Sequence, residues 1–181
     1  MGYEKIKGEI WSNMYRSSGN KWQCLIYRDK CKIRAIVYDV LIITFPFISA
    51  LLIGISQVIP AIIVTTIVGV MEILKHLTNY FVKSKEQLDK MAELAEYYSQ
   101  LFGKFKNLWR EMQCRDQIDE NMFKEFCCLS CELNLKEVEL NGLTPHISKS
   151  TNFKINKKAT LDILGFVGEE KKGELKKKYK I

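Results

Sequence analysis

Cys127, Cys128 and Cys131 are clustered, with Cys114 on one side and His146 on the other. Thiolates and an imidazole are zinc ligands, and Cys128-x-x-Cys131 has the spacing of half a structural zinc site. The second Cys pair is missing. The cluster also falls on an apolar helical pattern, where a free Cys behaves as a small buried apolar residue. No metal or cofactor is therefore expected. The two His are His76 and His146. His76 beside the membrane could sense pH, but a solvated interfacial His is the preferred reading. No GxSxG, HExxH, P-loop or GxGxxG occurs in the chain. Without a nucleophile, base and oxyanion set, an enzyme is not expected.

Binding chemistry has more to work with. Lys and Arg number 28 against 21 Asp and Glu, in blocks. Residues 1–34 hold eight basic and three acidic residues; residues 149–181 hold ten and four. The stretch between them holds ten and fourteen. Basic ends suit anionic lipid head groups or a polyanionic ligand, and they also simply aid solubility. Lys21, Arg28, Lys30, Lys104, Arg110, Arg115 and the Lys-rich tail are candidate contacts to a nucleotide or short oligonucleotide. Tyr97, Tyr98 or Trp109 could stack on its bases. The alternative is that these rings fill a helical core.

The elements that position these residues begin with an apolar run. Between Asp39 and Glu72 lie 32 residues without a formal charge. As one helix they would reach about 48 Å, against a hydrocarbon core about 30 Å thick. Two spans fit better, Ile36 to about Ser56 and about Ile59 to Tyr80, broken at Ser56-Gln57-Val58-Ile59-Pro60. Arg28, Lys30, Lys32 and Arg34 precede the run, and Lys75, His76, Lys83 and Lys85 follow it. Basic residues gather on the cytoplasmic side, so both termini are expected there. The run starts too late and is too long for a cleaved signal peptide. A reducing compartment leaves the six Cys as free thiols.

Within the spans, Ala61, Thr65 and Gly69 recur at four-residue spacing, as do Ala50 and Gly54. Such faces let helices approach closely, either within the hairpin or between subunits. Asp39, Thr44, Ser49, Ser56, Gln57, Thr65, Thr66, Gly69 and Glu72 are the candidate pore-lining or span-packing residues. Hydroxyls there could wet a pore or bond to backbone carbonyls. Carboxylates near a membrane entrance need a partner or water, and Arg34 is close enough in sequence to Asp39 to serve.

Past Lys83, Leu88, Met91, Ala95, Tyr98, Phe102, Phe105, Trp109 and Met112 follow steps of three and four. That is the seam of a coiled coil or bundle. Its partner is the N-terminal segment, the same helix of another subunit, or both. The register slips after Met112, where Ile118, Met122, Phe123, Phe126, Leu129 and Leu133 suggest a second helix or a continuation with a bend. The N-terminal segment reads as two amphipathic helices broken at Ser17-Ser18-Gly19-Asn20. Phe153 and Ile155 suggest a short extended piece, and Glu169 to Ile181 is expected to fray. The regions are 1–35, basic helices; 36–80, the transmembrane hairpin; 81–140, a coiled-coil-like region; and 141–181, a basic tail. The fold class is an all-α membrane protein whose cytosolic helices form an oligomeric bundle.

A basic N-terminal helix, a short two-span hairpin and a long aromatic-rich helix occur in that order. In this the chain resembles the SLATT family of bacterial two-transmembrane proteins. Trp22 through Arg34, the hairpin around Gln57 and Pro60, and Tyr80 to Trp109 carry the resemblance. It covers roughly residues 5 to 135, and the tail past Lys149 departs from it. The resemblance implies an effector of antiviral defence that oligomerises and perturbs the inner membrane. Its messenger would be a nucleotide made by a neighbouring nucleotidyltransferase. Two spans cannot enclose a channel, so a tetramer or larger homo-oligomer is expected. The alternative is a membrane-anchored coiled-coil scaffold that recruits a partner protein.

Overall fold

The structure is a computed structural model. It describes residues 2–55, 58–77, 83–115, 117–144 and 147–181. Every element among them is helical: α1 (Tyr3–Gly54), α2 (Val58–Leu77), α3 (Lys85–Gln113), α4 (Glu120–Leu143), α5 (Lys149–Ile163), a 3-10 turn (Leu164–Phe166) and α6 (Glu169–Tyr179). The chain divides into two compact units. A bundle unit comprises residues 1–27 and 90–181, and a hairpin unit comprises residues 28–89.

The bundle unit is built on the α3 seam. Met91, Leu94, Ala95, Tyr98, Leu101, Phe105, Leu108, Trp109 and Met112 are buried. From α1 they meet Ile6, Ile10, Met14 and Cys24, and from α4 Met122, Phe126, Leu129, Leu133 and Leu140. The seam is thus filled by the chain's own helices. Phe102 is only partly buried because Leu101 takes the inward position. Ser84 and Gln87 start α3 with a reciprocal capping box: each backbone N–H donates to the other's side chain at 3.2 Å. The register slip after Met112 is resolved as a separate helix, α4. Asp119 caps it by accepting the Met122 N–H at 2.8 Å.

Three local expectations are corrected. The segment Ser17-Ser18-Gly19-Asn20 does not break α1, which runs unbroken from Tyr3 to Gly54. Its polar groups are otherwise engaged: Ser17 Oγ donates to the Asn13 carbonyl, Ser18 Oγ to Asp162, and Asn20 Nδ2 to Glu137. Side chains so occupied do not compete for the helix's own N–H groups. Phe153 and Ile155 lie in a helix rather than an extended piece. Thr151, Ile155, Ala159 and Ile163 are buried at four-residue spacing, and Ser148 caps the start. The period of four, not two, decides the element. Glu169 to Tyr179 is helical too. Glu169 at its start pairs with Lys172 at 2.9 Å, and Lys176, Lys177 and Lys178 occupy the last turn, both favourable to the helix dipole. Tyr179 is buried and packs against Phe153, ring centroids 5.6 Å apart.

In the hairpin unit the C-terminal part of α1 packs against α2. Ser49 Oγ lies 3.0 Å from the Ala61 carbonyl oxygen and 2.7 Å from Thr65 Oγ1. Ala61 is almost wholly buried, so the small face of α2 is where the helices close.

Candidate functional site

Membrane contact is the property the hairpin unit supports most directly. One helix among the described residues, α1, is long and apolar enough to cross a bilayer. Only 6% of its apolar 18-residue window is buried within the chain. In α2 the apolar stretch Ile59–Val70 is shorter than a full span. Large apolar side chains are nonetheless exposed on both helices, among them Ile36, Ile43 and Leu51 on α1 and Ile59, Ile62 and Ile67 on α2. Pro46 lies inside α1, a position tolerated in membrane helices where neighbouring groups can satisfy the freed carbonyl.

The polar span residues fall into two groups. Ser49 and Thr65 are joined to each other, and Thr65 Oγ1 also donates to the Ala61 carbonyl at 2.9 Å. Thr44 and Thr66 are exposed and donate to the carbonyls of Val40 and Ile62, both at 2.8 Å. Asp39 and Gly69 are exposed and Glu72 is half-buried. Ser56, Gln57 and Tyr80 lie outside the described residues, as do Pro145, His146 and the side chains of Lys75 and His76.

The cationic candidates are dispersed. In the hairpin unit Arg28 faces Asp29 at 3.5 Å, and Lys30 is half-buried. In the bundle unit Lys21 Nζ lies 2.6 Å from Asp162 Oδ2. Ser18 Oγ at 2.7 Å and Trp22 Nε1 at 2.9 Å donate to the same oxygen. Burial pushes the Asp162 carboxyl up, but the Lys21 ammonium, the Ser18 hydroxyl and the Trp22 indole outweigh it and leave it below the usual carboxylate range. Arg115 pairs with Asp119, Lys104 is exposed, and Arg110 lies over the Phe166 ring. Tyr98 belongs to the core, where burial drives its hydroxyl far above its ordinary range. Tyr97 donates to Glu132 at 3.0 Å, and burial together with that carboxylate pushes it up to about 12. The expected buried role of the cysteines is corrected: Cys127, Cys128 and Cys131 are exposed on α4, and Cys114 is exposed just past the end of α3. Core positions on α4 go to the longer apolar side chains at Phe126, Leu129 and Leu133.

No family model matches this chain, and no curated protein or solved structure matches it either.

Residues that sequence reading passed over organise the bundle unit. Asp162 gathers three α1 donors, and Glu137 accepts from Arg16 and Asn20 of the same helix. Ser18, Lys21 and Trp22 share one helical face, a spacing that could have flagged them. Their acceptor, some 140 residues on in the chain, carries no local signal. A groove of about 290 Å³ brings two sequence candidates, Trp109 and Lys171 of the Lys-rich tail, together with Lys7, Trp11 and Phe166, which the sequence did not single out.

Proposed function

We propose that this chain is a non-enzymatic, oligomeric membrane effector that forms a pore or disrupts the bacterial inner membrane. Both termini would be cytoplasmic, and a nucleotide or short oligonucleotide on the cytosolic side would gate the assembly. The observation that carries the reading is the exposed apolar surface of the hairpin unit. A surface of that extent is stable in lipid and a liability in water. Basic residues on both flanks support an even number of crossings. The resemblance to SLATT proteins supports the defence role and the nucleotide messenger. Because the α3 seam is filled within the chain, contacts between copies would use the exposed faces of the hairpin, among them Ala50, Gly54 and Gly69.

The test is the mass of the protein in mild detergent, by light scattering with the detergent subtracted, followed by ion flux in vesicles. A discrete tetramer or larger with flux is expected. A monomer or dimer without flux would overturn the pore reading. A membrane-anchored scaffold is the second reading. Phe123, Leu135 and Val138 favour it, as large apolar side chains exposed on α4 where a partner protein could dock.

A further inference from the structure

Glu4, Lys7 and Trp11 recur every three to four residues of α1 and therefore share a face. That face, with Trp109 of α3 and Phe166 and Lys171 near the chain's end, lines the groove of about 290 Å³. The Trp11 and Trp109 ring centroids are 5.3 Å apart at 55°. Lys7 Nζ lies 5.8 Å from the Trp109 ring centroid and 5.6 Å from that of Tyr3. Lys106 Nζ and Arg110 Cζ lie 5.2 Å and 5.7 Å from the Phe166 ring.

One feature separates this groove from ordinary bundle surface. Among the described residues, none of Lys7, Lys106, Arg110 and Lys171 is paired with a carboxylate. Among the described residues of the lining, Lys7 and Lys171 stand against one acidic side chain, Glu4, and Lys106 and Arg110 add positive charge beside Phe166.

We propose that this groove binds an anion carrying a flat ring, of mononucleotide size. The rings of Trp11, Trp109 and Phe166 offer stacking surface, and the cations neutralise the charge. The volume is at the lower limit of small-molecule pockets, ~300 Å³, which suits one ring system with one anionic group. The inference deepens the ligand-gated reading by locating its ligand, and rests on that reading only for the consequence of binding.

The test is calorimetric titration of the full chain in mild detergent. Adenosine monophosphate, phenyl phosphate and benzoate supply ring and charge together. Adenosine supplies the ring alone and inorganic phosphate the charge alone. At least one joined ligand should bind ~10-fold or more tighter than either half, and more weakly as salt rises. The ranking of the joined ligands separates a phosphate from a carboxylate preference. Lys7→Gln and Lys171→Gln should each weaken binding ~10-fold, while Lys124→Gln, outside the groove on α4, should not. Circular dichroism shows that each variant is folded. Equal binding of joined ligands and their halves, or wild-type binding by both Lys variants, would overturn the proposal. Flux is measured separately: flux without binding defeats the groove alone, and binding in a chain that gives no flux defeats the pore alone.

Discussion

Lys21 and Asp162 lie 141 residues apart in sequence and 2.6 Å apart in space. Their ion pair, joined by Ser18 and Trp22, fastens α5 to α1. Asp162 is held below its ordinary range, which sets the sign of its pH dependence. Its contribution is fully present above the unfolded value of about 3.9 and is lost as pH falls through the lower folded value. Asp162→Asn should cost about 1–3 kcal/mol near neutrality and abolish that part of the acid dependence. Denaturant melts of both proteins across the acid range check it. Identical midpoints at neutral pH would contradict it.

Leu133 and Leu135 are two residues apart on α4 and sit on opposite sides of the energy balance. Leu133 is fully buried, whereas Leu135 is 67% exposed. Leu133→Ala should lose about 2–5 kcal/mol, and Leu135→Ala should stay within about 0.5 kcal/mol. Thermal denaturation of the pair in detergent measures the contrast. If the scaffold reading is right, Leu135→Ala should instead weaken capture of the partner at unchanged melting temperature.

Ser49 and Thr65 offer a direct test of the hairpin. Their hydroxyl oxygens are 2.7 Å apart, so cysteines at both positions should oxidise to an intrachain disulfide. In a background with the six native Cys replaced, oxidation should block maleimide-polymer labelling of the double variant and leave either single variant reactive. Persistent labelling of the double variant would mean that α1 and α2 do not pack at this point.

Tyr97 should ionise late. Burial and the Glu132 carboxylate push it up to about 12, from about 10 in a free tyrosine. The neutral phenol's contribution is therefore full below about pH 10 and is lost as pH rises toward about 12. Ultraviolet titration of wild type minus Tyr97→Phe isolates this group. Glu132→Gln should shift the difference curve back toward the ordinary value, and an unshifted curve would remove the carboxylate as a cause.

How much of this was legible in the sequence follows from the range of each interaction. The α3 seam was readable because its three- and four-residue steps place one face toward any apolar partner. Met91, Ala95, Tyr98, Phe105, Trp109 and Met112 all proved buried. The 32-residue uncharged run was readable for the same local reason, and α1 and α2 lie along it. The continuity of α1 through Ser17-Ser18-Gly19-Asn20 was not. Local propensity predicts a break there, and it is overridden by bonds to Asp162 and Glu137, which lie far along the chain. The α5 and α6 helices were hidden likewise, since a Lys-rich segment gains order only from contacts such as Phe153–Tyr179 and Lys157 to the Lys180 carbonyl.

By itself, then, the sequence determined the helical class, the apolar segments and the face that α3 would bury, because these depend on residues three or four apart. Only the tertiary structure decided which surface the seam would fill, that Lys21 would be tied to Asp162, and that Lys7, Trp11, Trp109, Phe166 and Lys171 would line one groove. Those pairings join residues distant in the chain, and their partners are chosen by packing rather than by spacing.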